Sequence, residues 1–269
     1  MTDMSNKSDY SSATSLGDQD LQYHIKLKAG ECAPYVITPG DPGRVAQIAN
    51  YLDHAKEIAY HREYRSYRGQ YRGVDVSITS TGIGGPSAAI AFEELIRVGA
   101  KVLIRVGTSG SLQTKVRLGD LVVAQSAIRD EGTSRQYVPI EWPATANFEV
   151  TSALFQAATE RAQAKGTQAL VGVVHSKDAF YAEEPAHLPT AAHWAAKWDA
   201  WHKIGCLCTE MEAATLFTVA QIHQVKAGAI LSVVGETRDG EVKIGKVSSE
   251  DAILSTLEAI YHLDQRSPQ

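Results

Sequence analysis

Apolar, β-branched runs alternate with amphipathic stretches along almost the whole chain, and several of the runs end in glycine. "APYVITPG" (33–40), "KVLIRVGTSG" (101–110), "DLVVAQSAI" (120–128), "ALVGVVHS" (169–176) and "AGAILSVVG" (227–235) read as strands. "EYRSYRGQYRG" (63–73) and "VDVSITSTG" (74–82) read as a hairpin pair. Segments 42–53, 86–98, 150–165, 190–203, 210–223 and 248–263 read as helices, the second opening with Pro86 in its first turn. This order requires a mainly parallel or mixed sheet covered on both faces, an α/β fold. No internal repeat or long linker divides residues 21–269, so a single domain is expected.

The 269 residues are enough to bury a substantial core. Residues 1–20, "MTDMSNKSDYSSATSLGDQD", are polar, lack the apolar segment of a secretory signal, and read as a disordered tail. No run reaches the length of a membrane span. A net charge of −5 offers no basic excess for nucleic acid. Cys32, Cys206 and Cys208 form neither a disulfide framework nor a zinc-spaced cluster. These features predict a cytoplasmic enzyme or binding protein with neither nucleic acid nor membrane as partner.

Ligands of open α/β sheets gather beyond the carboxyl ends of the strands. Four loops stand there: Pro39-Gly40-Asp41, Thr81-Gly82-Ile83-Gly84-Gly85, Gly107-Thr108-Ser109-Gly110 and Gly235-Glu236-Thr237-Arg238. In the first, Asp41 suits an N-cap and Pro42 the first helical position. Gly40 lets backbone amides approach a ligand, and the helix N-terminus carries partial positive charge. Arg44 in that first turn opposes the dipole unless it reaches an anion. Arg62 lies in "HREY", and Arg105 lies inside "VLIRVG", where a charge is costly unless paired. Taken singly, Arg44 reads as solvated, Arg62 as paired with a surface acid, and Arg105 as paired with Glu93 or Glu94. Taken together with Gly40 and the Thr108 hydroxyl, they form a site for inorganic phosphate, which the guanidinium fork suits. Neither G-x-x-x-x-G-K-[ST] nor a full dinucleotide fingerprint is present.

"PGDPGRV", "HREY", "STGIGGPS", "FEELIRVGAKVLIRVGTSGSLQ", "SKDAFYAE" and "TEMEAATLFTVA", in this order over residues 21–263, resemble the nucleoside phosphorylase-I (PNP/UDP) family, most closely the uridine phosphorylases. The resemblance implies an α/β fold around a mixed, barrel-like central sheet flanked by helices. It also implies phosphorolysis: nucleoside plus phosphate gives free base and pentose 1-phosphate, with phosphate as co-substrate and no organic cofactor. Gly40, Arg44, Arg62, Arg105 and Thr108 match the family's phosphate residues. Met211 and Glu212 match the ribose pair, the carboxylate gripping the 2′- and 3′-hydroxyls, and Glu210 matches a nearby acid. Phe180 matches the aromatic that packs on the base. Tyr23 and His24 match a pair lent by a neighbouring subunit, the histidine reaching the 5′-hydroxyl. Glu63, Ile83 and Ser87 match a monovalent-cation (K+) site between subunits of some members. Self-association into dimers, and of dimers into a homohexamer, is implied as well.

The base loop departs from the family pattern. Uridine phosphorylases usually carry a Gln and an Arg shortly after "FY"; here "FYAEEPAHLP" places Glu183, Glu184 and His187 there. A carboxylate accepts from N3–H of uracil but cannot donate to O4. Arg238 in "GETRDG" lies near another base-contact position and is a candidate donor. The Asp with which purine members protonate N7 is replaced by Val234 and Gly235, with Glu236 adjacent. Uridine therefore stands first. The alternatives are a purine nucleoside or 5′-methylthioadenosine phosphorylase, a nucleosidase, and a non-catalytic nucleoside-binding protein of the same fold. Trp194, Trp198 and Trp201 share one helical face and read as packing or subunit contact.

Overall fold

The structure is a computed structural model that describes residues 21–238 and 241–266, without the side chains of Pro185, Thr237, Arg238, Glu241 and Val242. The expected N-terminal tail, residues 1–20, lies outside the described residues.

The strands are β1 (Tyr35–Pro39), β2 (Asp53–His61), β3 (Tyr64–Tyr71), β4 (Val74–Thr79), β5 (Val102–Ser111), β6 (Leu121–Asp130), β7 (Ala144–Thr145), β8 (Ala169–Lys177), β9 (Cys208–Glu210), β10 (Lys226–Arg238) and β11 (Glu241–Ile244). The helices are α1 (Pro42–Ala49), α2 (Gly85–Arg97), α3 (Thr133–Tyr137), α4 (Phe148–Lys165), α5 (Ala191–Lys203), α6 (Ala213–Ile222) and α7 (Glu250–Arg266). All strands join one mixed sheet. Strand β5 pairs with β10, β10 with β6, β6 with β8, β8 with β9, and β9 returns to β5, closing a five-stranded barrel. From β5 the sheet continues outward through β1 and β4 in parallel, then β3 and β2 antiparallel. This is the barrel-like mixed sheet that the resemblance implies.

Side-chain alternation in β5 explains where the cores sit. Val102, Ile104 and Val106 face a core shared with α1, α4 and α7, whereas Leu103 faces the core under α2 and α6. Arg105, two residues beyond Leu103, falls on the α2/α6 side of the sheet, toward the end where α6 begins. Helix α1 starts as its sequence dictates: Asp41 caps it, accepting from the Gly43 amide at 2.8 Å, with Pro42 in the first turn.

Three elements differ from expectation. Helix α1 stops at Ala49, and Asp53–His61 form a strand. That strand is the sheet edge, solvated along most of its length, so it has no apolar alternation to announce it. The helix expected over 210–223 begins only at Ala213, and Glu210 instead ends the short strand β9. Gly235–Arg238 is not a loop but the end of β10, paired in a hairpin with β11.

Candidate active site

The loops after β1 and β4 lie side by side. The Thr81 amide donates to the Pro39 carbonyl at 2.9 Å and the Gly82 amide to the Gly40 carbonyl at 3.0 Å. Gly82 has φ +69°, and a Cβ there would lie 2.5 Å from Ser87 Oγ, so neither the conformation nor the space admits a side chain. Arg44 rises from the first turn of α1 beside this pair of loops. It is half-buried and makes no ion pair with any described residue. Burial, reinforced by the charge of Arg105 and opposed only by Asp41, holds its pKa below the ordinary arginine value.

Arg105 is 5 % exposed. Its Nε donates to Glu210 Oε2 at 2.9 Å, and its Nη2 meets Glu212 Oε2. Gly107 makes room for that guanidinium: a Cβ would lie 2.9 Å from Arg105 Nη2. Burial works against the Arg105 charge, but the two carboxylates outweigh it and raise its pKa. They differ in their other duties. Glu210 accepts from the amides of Glu212 (2.8 Å) and Ala213 (3.0 Å) and from Ser176 Oγ, so it holds the start of α6. Glu212 makes no such cap; its Oε1 accepts from the Gly84 amide. Burial pushes the Glu212 carboxyl above its ordinary pKa; Arg105 opposes this and Glu210 adds to it. One guanidinium thus serves two buried carboxylates, with half-buried Met211 between them in sequence.

Thr108 is half-buried and pairs in register with Ser232 of β10; Arg105 pairs in register with Thr38 of β1. The buried hydroxyls of Thr38 and Ser232 find no hydrogen-bond partner among the described residues. Nothing in the sequence singles these two out, because a lone Thr or Ser in a strand is ordinary.

The base loop leaves β8 through two short 3-10 turns, Phe180–Glu183 and Pro185–His187. Phe180 is 56 % exposed. Glu183 pairs with Lys177, a residue to which the sequence reading gave no role. Glu184 and His187 are exposed, and His187 bonds the Glu184 carbonyl at 2.9 Å. Trp198 donates from Nε1 to the Ala182 carbonyl at 3.2 Å and stands edge-on to His175, so the tryptophan face of α5 backs this loop. Arg238 ends β10, and its side chain lies outside the described residues. A cavity of about 370 Å³, lined by Arg129, Asp130, Arg135, Trp142, Lys197 and Trp201 among others, includes none of Arg44, Arg105, Thr108, Glu212, Phe180 or Glu183.

Arg62 and His24 are not brought to this cluster within one chain. Arg62 is exposed in the turn between β2 and β3, with φ +55°. Glu94, a partner expected for Arg105, binds His24 instead: His24 Nδ1 lies 2.6 Å from Glu94 Oε1, and the Ile25 amide donates to Oε2 at 2.8 Å. Gly84, which reaches Glu212, precedes Glu94 by ten residues of α2 and its cap, about 15 Å of helix rise. His24 and Arg62 are near each other, because the His24 carbonyl accepts from His61 Nδ1 at 2.9 Å. Glu63 and Ser87 meet, Ser87 Oγ donating to Glu63 Oε1 at 2.8 Å, while Ile83 is 77 % exposed.

The chain is similar to known proteins over most of its length. The Phosphorylase superfamily profile matches residues 34–258. A uridine phosphorylase of Thermococcus kodakarensis is 43 % identical over 90 % of this chain and 87 % of its own. A guanosine phosphorylase of Halorubrum lacusprofundi is 40 % identical over 82 % and 86 %. The crystal structure of a uridine phosphorylase from Vibrio fischeri superposes with a TM-score of 0.75, at 32 % identity, over 92 % of this chain and 99 % of that one.

Proposed function

The chain belongs to the Phosphorylase superfamily, and from that premise we propose that it is a nucleoside phosphorylase, a pentosyltransferase that moves the sugar of a nucleoside, uridine first, from base to phosphate. The observation that carries the phosphate is Arg44: a half-buried guanidinium in the first turn of α1, without an ion pair among the described residues and close to the Arg105 guanidinium. An oxyanion between Arg44 and Arg105, received by the Gly40 loop and the Thr108 hydroxyl, relieves that repulsion.

In the reaction an oxygen of monohydrogen phosphate bonds to C1′ as the C1′–N bond breaks and its electron pair passes to the base. The proton brought by the phosphate ends on the released base. The transition state is oxocarbenium-like, so the dianion stabilises the charge developing at C1′ while it attacks. Glu212 holds the 2′- and 3′-hydroxyls with Met211 beside the sugar, Phe180 packs on the base, and no organic cofactor takes part. The site is completed by a second copy, which lends His24 for the 5′-hydroxyl. Arg62 travels with it, since His61 ties the two segments together. Such dimers assemble further into a hexamer. Glu63 and Ser87, with the chain at Ile83, offer hard oxygen donors that suit a potassium ion at that contact. The compartment we assign is the cytoplasm, where the free thiols Cys32, Cys206 and Cys208 stay reduced and the reaction salvages pyrimidines.

A second reading is guanosine, favoured by the Halorubrum relative. The test is a panel of uridine, thymidine, guanosine, inosine, adenosine and methylthioadenosine, each with and without phosphate. Base release that needs phosphate and yields pentose 1-phosphate is the expected result. Equal release in its absence points to hydrolysis and overturns the proposal, and no release with any substrate overturns it as well.

A further inference from the structure

Lys177 closes β8 with 5 % of its surface exposed, and none of the roles above uses it. Its ammonium lies 3.0 Å from Thr209 Oγ1, 2.5 Å from Glu183 Oε1 and 5.6 Å from the centroid of the Phe180 ring. An ammonium has three N–H donors and no acceptor. Thr209 and Glu183 take two, and one is left beside the ring that packs on the base. The hydrogen bonds behind it fix its direction. Thr209 Oγ1 is also 3.0 Å from His175 Nδ1, and His175 Nε2 is 3.0 Å from Asp130 Oδ2. Every partner is satisfied when Lys177 donates to Thr209, Thr209 donates to Nδ1, and Nε2–H donates to Asp130.

We propose that Lys177 and Glu183 together read the base, Lys177 donating its remaining N–H to a ring carbonyl oxygen and Glu183 accepting from the neighbouring ring N–H. The inference rests on the phosphorylase reading and deepens it. As the C1′–N bond breaks, its electron pair spreads onto that carbonyl oxygen, and the ammonium stabilises the charge where it forms. A donor beside an acceptor fits a carbonyl adjacent to N–H, the edge shared by uracil, thymine, hypoxanthine and guanine. Cytosine and adenine present an amino group beside an unprotonated nitrogen, the reverse pattern. The pair therefore supplies the donor that the loop after "FY" lacks, and the edge it fits is common to the bases of the uridine and guanosine enzymes among similar proteins.

The test compares an ordinary with an activated leaving group in Lys177→Met: uridine against 5-fluorouridine, or guanosine against 7-methylguanosine where the wild type prefers guanosine. The expected loss of kcat/KM is about 100-fold on the ordinary nucleoside and about tenfold less on the activated one. Lys177→Arg recovers part of the loss. Equal loss on both substrates overturns the proposal, because a clasp that only holds the loop is blind to the leaving group. Glu183→Gln, on a half-exposed side chain, provides a second test should Lys177→Met fold poorly. Its uridine-to-cytidine preference drops about tenfold, and an unchanged preference overturns the pairing. A wild type inactive toward every nucleoside sinks the phosphorylase reading itself. An active wild type with both ratios unmoved sinks only this inference.

Discussion

Arg105 and Glu212 meet as an ion pair with 6 % and 4 % of their side chains exposed, and Glu210 shares the same guanidinium. Removing the cation leaves two buried carboxylates facing each other. Arg105→Met is therefore expected to lower stability by about 3–5 kcal/mol and to abolish phosphorolysis. Urea unfolding measures the first and base release the second. A variant as stable as the wild type contradicts this account of the triad.

The same arrangement sets a pH dependence. Burial raises the Glu212 carboxyl above its ordinary 4.5, so between that value and the raised one the folded state binds more protons than the unfolded. Stability then falls as pH rises through this window, in proportion to the extra proton held by the native state. Glu212→Gln removes that titration. The wild type should gain on the variant as pH is lowered from neutrality toward 4.5 and gain no more below it. Paired urea titrations at several pH values cancel the groups common to both proteins, and a constant difference would count against a raised Glu212.

The sheet and its helices were legible because Ile37, Ile104 and Val122 belong to strands buried on both faces, where a continuous apolar run is the only composition that fits. Asp53–His61 was not, since an edge strand open to water needs no such run. In the site, Gly40, Arg44 and Arg105 stood out because each breaks a local rule: a glycine at a strand end, a cation against a helix dipole, a charge in a core. The partner of Arg105 was misplaced. Glu94 is nearer in sequence, but barrel closure through β9 carries Glu210 and Glu212 to the guanidinium instead. Lys177 stayed hidden since a lysine ending a strand is unremarkable until Glu183 folds back over it.

Arg44 differs from Arg105 in forming no ion pair among the described residues, with only the more distant charge of Asp41 in its favour. Arg44→Ala should raise the KM for phosphate about 10–100-fold, equivalent to one charge-assisted contact of roughly 1.5–3 kcal/mol. The KM for the nucleoside should move far less. Stability without phosphate should be unchanged or higher, since a like charge near Arg105 is gone. Phosphate should raise the Tm of the wild type more than that of the variant. Equal phosphate KM values would remove Arg44 from the site.

Gly107 is the smallest change that tests the packing of Arg105. A Cβ would approach both Arg105 Nη2 and Leu231 Cδ2 to 2.9 Å, and the guanidinium is pinned by two carboxylates. Gly107→Ala is expected to cost about 1–3 kcal/mol of stability and to lower kcat/KM for phosphate about 10–100-fold, since small misplacements of an orienting group carry large rate penalties. Gly30, which has open space around its Cβ direction but φ +84°, is a control: its replacement strains the backbone without touching the site, and phosphate kinetics should stay at the wild-type value.

The proposal that a second copy completes the site predicts complementation. Arg44 lies near Arg105, which holds Glu212, whereas Arg62 is exposed in the turn after β2, next to His61, which bonds the His24 carbonyl. At phosphate well below the wild-type KM, an Arg44→Ala subunit and an Arg62→Ala subunit are each expected to have little activity as pure proteins. In a mixed dimer with two-fold symmetry, one site receives both substitutions and the other receives neither. After denaturation and refolding of an equal mixture, half of the dimers are mixed and each has one intact site of two. Activity should return to about a quarter of the wild-type value. Recovery to that level requires Arg62 to act across the subunit contact. A mixture no more active than its components means that both arginines serve the same chain, in which case the exposed turn at Arg62 has to fold back toward Arg44 when phosphate binds.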